Sequence, residues 1–445
     1  MLRALKWLYP GMRVKRWIAV IFVGVFLTNF GAALLIFGLL SSEDKGVARQ
    51  LYTYAVLGFL VGGFFLLTGV YRLMKSLAEL LPQRGRDKDL VDVAFERRYL
   101  GLGPRVVALG GGTGMSTLLE GLKDYTARVT AVVSVADDGG SSGRLRREFD
   151  MLPPGDIRKC LVALSDESPL LGELMQYRFS KADAGAPARH AAPERGPAER
   201  NLTEGAELVG HSFGNLFLTV LWRLTGDFGE AVRQAGRILS IRGRVIPSTL
   251  DRVSLVATYR DGSTVTGQRQ ISENAKPIDR VQLRPKPGPA SRDILEAVEQ
   301  ADLIVIGPGS LYTSVLPNLL IEGVTEAIGR SAAAKVYVAN IASQEGETRG
   351  FSLKDHIEAI RKHTRVSPFD LVLVNSSGLP PPVLKKLREG GGAVVRYDPR
   401  DFEENGCELR FAEEDLAGGK DVLRHDPRKL GRTLMTLLAR AREEA

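Results

Sequence analysis

The stretch Val106–Leu122, VVALGGGTGMSTLLEGL, decides the fold. A short continuous apolar run that breaks into glycine and resumes with helical spacing reads as a buried parallel strand, a tight turn and a helix. Glycine lets the backbone approach a ligand closely, and the start of the helix offers unpaired N–H groups to an anion. Gly110, Gly111, Gly112, Thr113 and Gly114 are therefore candidate phosphate contacts. A P-loop is excluded, because no Lys-Ser or Lys-Thr follows at the required spacing. The dinucleotide fingerprint is half met: Gly110 and Gly112 fit its first two glycines, but Met115 stands where the third belongs, which weakens a nicotinamide-dependent oxidoreductase.

Working outward, RVTAVVSV (128–135) supplies a second strand, and with it the opening of a βαβ unit. ADLIVIGPGSLYTSVLPNLL, AKVYVANI and FDLVLVNSSG add further buried strands, separated by helices such as SLKDHIEAIRKH. The expected fold is α/β and Rossmann-like, a mostly parallel sheet with helices on both faces. VSLVATYRDGSTVTGQRQI has β-rich arms around Asp261-Gly262 and predicts a hairpin at the edge of that sheet or just outside it. The Ala-, Pro- and charge-rich stretch at about 180–208 lacks periodicity and reads as a flexible insertion.

Ligands of open α/β sheets bind outside the carboxyl ends of the strands. The second strand ends in Asp137 and Asp138, then Gly139, Gly140, Ser141 and Ser142, and Pro153-Pro154-Gly155 delivers Asp156 to the start of another helix. Three carboxylates near a phosphate site suggest Mg²⁺, with water and phosphate oxygens completing its shell. The bland alternative makes Asp156 a helix cap and the pair a solvated turn. Arg144, Arg146, Arg147 and Arg158 follow, and one of them could clamp a phosphate, although most such arginines face solvent. In GHSFGNLFLTVLWRL, Ser212 is placed to cap a helix carrying Leu216, Val220 and Leu224, with His211 and Asn215 at its anion-favouring end. Gly307, Gly309, Ser310, Thr313 and Ser314 form a second strand-turn-helix loop for another phosphate or a sugar.

Ahead of this body lie two runs long enough to cross a bilayer, residues 17–40 and 51–74, the lipid bilayer being the expected partner of both. The connecting SSEDKGVARQ balances its charges while both outer flanks are basic, so a two-span cell-membrane protein with both termini and the main domain in the cytoplasm is expected. The expected division is a hairpin at 1–80, a linker at 81–103 and a nucleotide-binding domain at 104–445. A signal peptide would be shorter and would not be followed at once by a second span.

The 445 residues, 44% hydrophobic and 25% charged, suffice for a large core and exclude a disordered tail. Two cysteines, Cys160 and Cys407, exclude a disulfide framework and point to a reducing compartment. The formal charge of +8 sits largely beside the apolar runs, where anionic lipid is the nearer partner. No zinc finger or RNA-recognition motif is present, and nucleic-acid binding is not expected.

Together, GGGTG, DDGGSSGRLR, PPGDIRKCL, HSFGNL, GPGSLYTSVLPNLL and EGET (Glu345 to Thr348) make the chain from about Pro104 onward resemble the YvcK-type gluconeogenesis factors, relatives of the CofD 2-phospho-L-lactate transferases. The resemblance implies a nucleotide diphosphate ligand of the UDP-sugar kind and a role in cell shape and wall-precursor metabolism on gluconeogenic carbon. By resemblance to the transferases, Mg²⁺ would sit on Asp137, Asp138 and Asp156. Neither flavin nor haem is expected. DDGGSSG departs from the transferase pattern, where a bulky aromatic-containing segment would stand, and the apolar hairpin is a second departure. A tethered sensor with cell-envelope protein partners, able to form a homo-oligomer, and a Mg²⁺-dependent nucleotide-linked transferase both remain open.

Overall fold

The computed structural model describes residues 14–40, 45–78, 100–166, 169–180, 208–365, 367–403, 409–418 and 423–444. The expected linker up to residue 99, the insertion at 181–207 and Cys407 lie outside them. The chain divides into two compact units, Met1–Leu102 and Gly103–Ala445.

The first unit holds two long helices, Val14–Leu40 and Lys45–Ala78. Within them Arg16–Leu40 and Arg49–Met74 are long and apolar enough to cross a membrane. Phe22, Leu40, Leu60 and Leu67 point outward and are exposed. The two helices pack backbone to backbone: a Cβ added at Gly24 would come within 2.7 Å of Leu66 N. Small residues at such a crossing let helices approach where apolar surroundings give little drive for side-chain burial.

The second unit is built on a seven-stranded sheet in the order β10-β9-β8-β7-β1-β2-β3. Its strands are β1 Val106–Gly110, β2 Val129–Val133, β3 Arg244–Pro247, β7 Leu303–Ile306, β8 Ala334–Val338, β9 Leu371–Asn375 and β10 Arg410–Glu414. Every pairing in it is parallel. Each residue of β1, β2 and β7 is buried, as continuous apolar strands covered on both faces must be. The predicted hairpin lies just outside this sheet. Its arms, β4 Ser254–Tyr259 and β5 Thr264–Thr266, join β6 Ile278–Arg284 in a separate antiparallel sheet.

The strand order sets the site. From β1 the chain proceeds to β2 and β3 on one side, then returns to β7 and runs out through β8, β9 and β10 on the other. The sheet therefore reverses direction between β1 and β7, and a crevice opens beyond their carboxyl ends. The glycine loops after β1 and β7 both lie there.

Ser212 caps the Phe213–Thr225 helix as expected, but the apolar residues named on that helix are not the ones it buries. In the Phe213–Thr225 helix, Val220 and Leu224 are exposed, and the buried stripe is Asn215, Leu218 and Thr219. The helix turns a partly polar face inward because Asn215 engages Ser141 of a neighbouring element.

Candidate functional site

The loops after β1 and β7 close on each other. A Cβ added at Gly114 would stand 2.5 Å from the Pro308 carbonyl oxygen, so only glycine permits this approach. Asn318 Nδ2 donates to the Gly110 carbonyl at 2.9 Å and to the Ser314 carbonyl at 2.7 Å, tying the loops from below. Gly110 is thus the last residue of the strand, not part of the cavity floor.

Between the loops lies a cavity of about 560 Å³. Gly111, Gly112, Thr113 and Gly114 form one side, and Gly309, Ser310 and Ser314 the facing one. The Gly112–Leu122 helix begins at Gly111 without a side-chain cap, leaving the N–H groups of its first turn for a ligand. Gly112 adopts a left-handed φ of +64° to make the turn. Gly307 also turns at positive φ, but its N–H is spent on the Leu109 carbonyl behind the cavity.

The second loop is a π-helical turn, Leu311–Val315, in which Val315 N donates to the Ser310 carbonyl at 3.0 Å. Such turns are rare and often mark functional sites, and this one has an external brace. Glu347, 5% exposed, provides it, accepting from Thr313 Oγ1 at 2.8 Å, Ser272 Oγ at 2.9 Å and Tyr312 N at 3.3 Å. Burial pushes its carboxyl above the ordinary value, and these donors oppose the shift.

The carboxylates divide. Asp137 and Asp156 line the cavity with Lys159. Lys159 Nζ lies 3.0 Å from Asp156 Oδ1. Burial, and after it the charge of Asp156, raises the Asp137 pKa, while Gly139 N–H, Ser142 and Lys159 pull it down. Asp156 is not a cap: Pro154 occupies that position and the helix has no side-chain cap bond. Asp138 turns away, accepting from Arg269 N at 2.9 Å and lining a different cavity. Among the described residues no three His, Cys, Asp or Glu side chains gather as a metal cluster. Of the three carboxylates expected to hold a metal, Asp137 and Asp156 share this cavity and Asp138 does not, because neighbouring residues of an extended chain face opposite ways.

Several expected contacts lie outside this cavity. Ser141 Oγ is 3.0 Å from His211 Nδ1 and receives Asn215 Nδ2 at 3.0 Å. Ser212 caps its helix by accepting from Asn215 N at 3.3 Å. Ser142 acts on Asp137 instead, opposing the rise of its pKa. Arg158 is buried, with its Nη1 3.4 Å from the Met175 carbonyl.

Other cavity residues escaped the sequence reading. Asn340 grips Gly309 twice, accepting from its N–H at 3.2 Å and donating to its carbonyl at 2.8 Å. Gln344 Nε2 donates to Ser310 Oγ at 2.9 Å. Arg424, His425 and Leu387 also line the cavity. Burial pushes the His425 imidazole down to about 4, so it is neutral at physiological pH. Lys159 alone had a signal, three residues after Asp156 on one helix face.

The family model described as 2-phospho-L-lactate transferase CofD matches residues 106–414. The Gluconeogenesis factor of Bacillus subtilis is 39% identical over 76% of this chain and 99% of its own length. A relative from Nostoc sp. is 40% identical over 97% of this chain and 91% of its own, so the similarity extends into the apolar N-terminal unit. A crystal structure of a Bacillus halodurans protein superposes with a TM-score of 0.67 at 41% identity, covering 75% of this chain and 99% of that one. With these motifs, this sheet and these relatives, the chain belongs to the YvcK-type gluconeogenesis factor family, on the CofD fold.

Proposed function

We propose that this protein is a membrane-tethered sensor of a nucleotide diphosphate sugar of the UDP-sugar type, acting in cell-shape and wall-precursor homeostasis during gluconeogenic growth. One observation carries the ligand reading: two glycine loops at the sheet's reversal point open into a single cavity of about 560 Å³, within the size range of small-molecule sites. A diphosphate on the first-turn N–H groups of the Gly112–Leu122 helix would face Asp137 and Asp156. Carboxylates and phosphates repel unless a cation separates them, and Mg²⁺ commonly takes one or two carboxylates together with phosphate oxygens. The two aspartates fit that role. The sugar and base would extend toward Asn340, Gln344 and Arg424.

The tether reading rests on the lengths and apolarity of Arg16–Leu40 and Arg49–Met74 and on their basic flanks, which favour a cytoplasmic body. Cell-envelope protein partners and self-association belong to the same proposal. A second reading, a Mg²⁺-dependent transferase, is favoured by the family match and by the paired aspartates beside a leaving-group site.

Calorimetric titration of the full chain with UDP-glucose, with and without Mg²⁺, followed by product analysis, separates these readings. Mg²⁺-dependent binding without turnover supports the sensor. Release of UDP in the presence of an acceptor supports the transferase, and absence of UDP-sugar binding overturns both.

A further inference from the structure

Asp137 and Asp138 are consecutive, yet they line two different cavities. Gln268 and Arg269 do the same. The wall between the cavities is therefore two dipeptides thick, joined by the 2.9 Å bond from Arg269 N to Asp138 Oδ1. The second cavity, of about 730 Å³, has on its lining Arg144, Arg147, Arg178 and Arg269 against Asp138 and Glu273.

Exposed arginines usually face a carboxylate or open water. Among the described residues, only Arg269 of these four has its guanidinium on an acid, Glu273, at 2.8 Å. Arg144, Arg147 and Arg178 have no carboxylate within ion-pair distance among the described residues. Two of them are held in place by backbone: Arg144 Nη2 donates to the Val209 carbonyl at 2.7 Å, and Arg178 Nη1 donates to the Gly210 carbonyl. They come from separate stretches of chain and converge on a concavity whose floor is Gly140 and Ser141, the first turn of the Gly140–Phe149 helix. That helix starts at Gly139 without a side-chain cap.

A buried polar cluster stands behind the floor. Ser141 Oγ is engaged by both His211 Nδ1 and Asn215 Nδ2, each at 3.0 Å. Both partners are 3% exposed, and Asn215 Oδ1 has no hydrogen-bond partner among the described residues. Burial, with Arg144 and Arg178 nearby, lowers the His211 pKa, so the positive charge of the cavity comes from its arginines. Four guanidiniums against two carboxylates leave a charge of +2, which a phosphate monoester of about −1.5 to −2 at neutral pH balances. Guanidinium forks match phosphate oxygens in pairs.

We propose that this arginine-lined cavity is a second anion site, taking the phosphate group of a phosphate monoester back to back with the glycine-loop cavity. It does not depend on what the first cavity binds.

The test uses phenylglyoxal labelling of arginines in the full chain in detergent micelles, mapped residue by residue by mass spectrometry, with phenyl phosphate, a simple phosphate monoester, as the probe. Phenyl phosphate should slow labelling of Arg147 and Arg178 at least tenfold while leaving Arg292, whose side chain is 90% exposed on another helix, unchanged. The protection should persist in Gly112→Val, which obstructs only the glycine loop. Unchanged labelling of Arg147, or protection that disappears in Gly112→Val, overturns the proposal. Failure of the nucleotide reading would show separately, as loss of UDP-glucose binding with the arginine protection intact.

Discussion

Lys159 Nζ sits 3.0 Å from Asp156 Oδ1, so the cavity that offers glycine N–H groups to an anion carries its own paired acid and base. The Asp156 side chain is 8% exposed and the Lys159 side chain 38%, which leaves the lysine able to swing toward a ligand. Lys159→Gln should weaken UDP-glucose binding about tenfold without Mg²⁺, or ~1.4 kcal/mol. With saturating Mg²⁺ the loss should shrink, because the metal supplies the missing positive charge beside Asp156. Titrations at both metal levels check this, and an equal loss in both would place Lys159 on the ligand rather than on the carboxylate.

The two glycines of the first loop should fail differently. At Gly112 the nearest atom to an added Cβ is 3.8 Å away, but φ is +64°, and the branches of valine would stand over the glycine loop. Gly112→Val should lower nucleotide affinity at least tenfold in a chain that still folds, as read by calorimetry beside circular dichroism. Gly114→Ala drives a methyl against the Pro308 carbonyl and should instead lower the melting temperature, because it pries apart the loops after β1 and β7.

Glu347 never touches the cavity but holds the turn that forms one side of it. Glu347→Gln replaces one acceptor oxygen with an NH₂ facing the donors of Ser272, Thr313 or Tyr312. Leaving a buried donor unsatisfied costs about 1–3 kcal/mol. Chemical denaturation should show that loss, and ligand affinity should fall with it as Ser310 and Ser314 lose their fixed positions.

How far the sequence foretells this site follows from what a linear pattern can encode. The β1 loop is legible because a continuous apolar run, glycines and helical spacing are all local. The partnership of that loop with Gly309 and Ser310 is not, since it depends on β7 pairing beside β1 across nearly 200 residues, about the separation of the Arg105 N to Asp302 Oδ2 bond (197). Asp137 and Asp138 look equivalent in sequence, and only the path of the chain sends them into separate cavities. Periodicity marks Leu216, Val220 and Leu224 as a stripe, but it cannot say that a neighbouring stripe faces inward to hold Ser141. Asn340 and Gln344 follow β8 in a loop with no repeating pattern, so nothing short of the fold reveals them.

Asp137 brings stability and function into conflict. Its folded-state pKa is raised, chiefly by burial and then by Asp156. An acid shifted upward favours the folded state most when protonated, below its unfolded value near 4, and that contribution is lost as pH rises through the folded value. Above the unfolded value the buried carboxyl therefore costs the fold stability, because it must either carry a charge away from water or hold a proton the unfolded chain releases. Asp137→Asn removes the charge while keeping the shape, so it should raise the melting temperature at pH 7.5. The gain should vanish below about pH 4, where the aspartate is protonated in both folded and unfolded chains. The same substitution removes one of the two carboxylates offered to Mg²⁺, and metal-dependent UDP-glucose binding should fall at least tenfold. Melting curves across pH and titrations with and without Mg²⁺ read the two halves independently. A variant less stable at pH 7.5 would mean that the bonds from Gly139 and Ser142 outweigh burial, and unchanged metal dependence would take Asp137 out of the metal site.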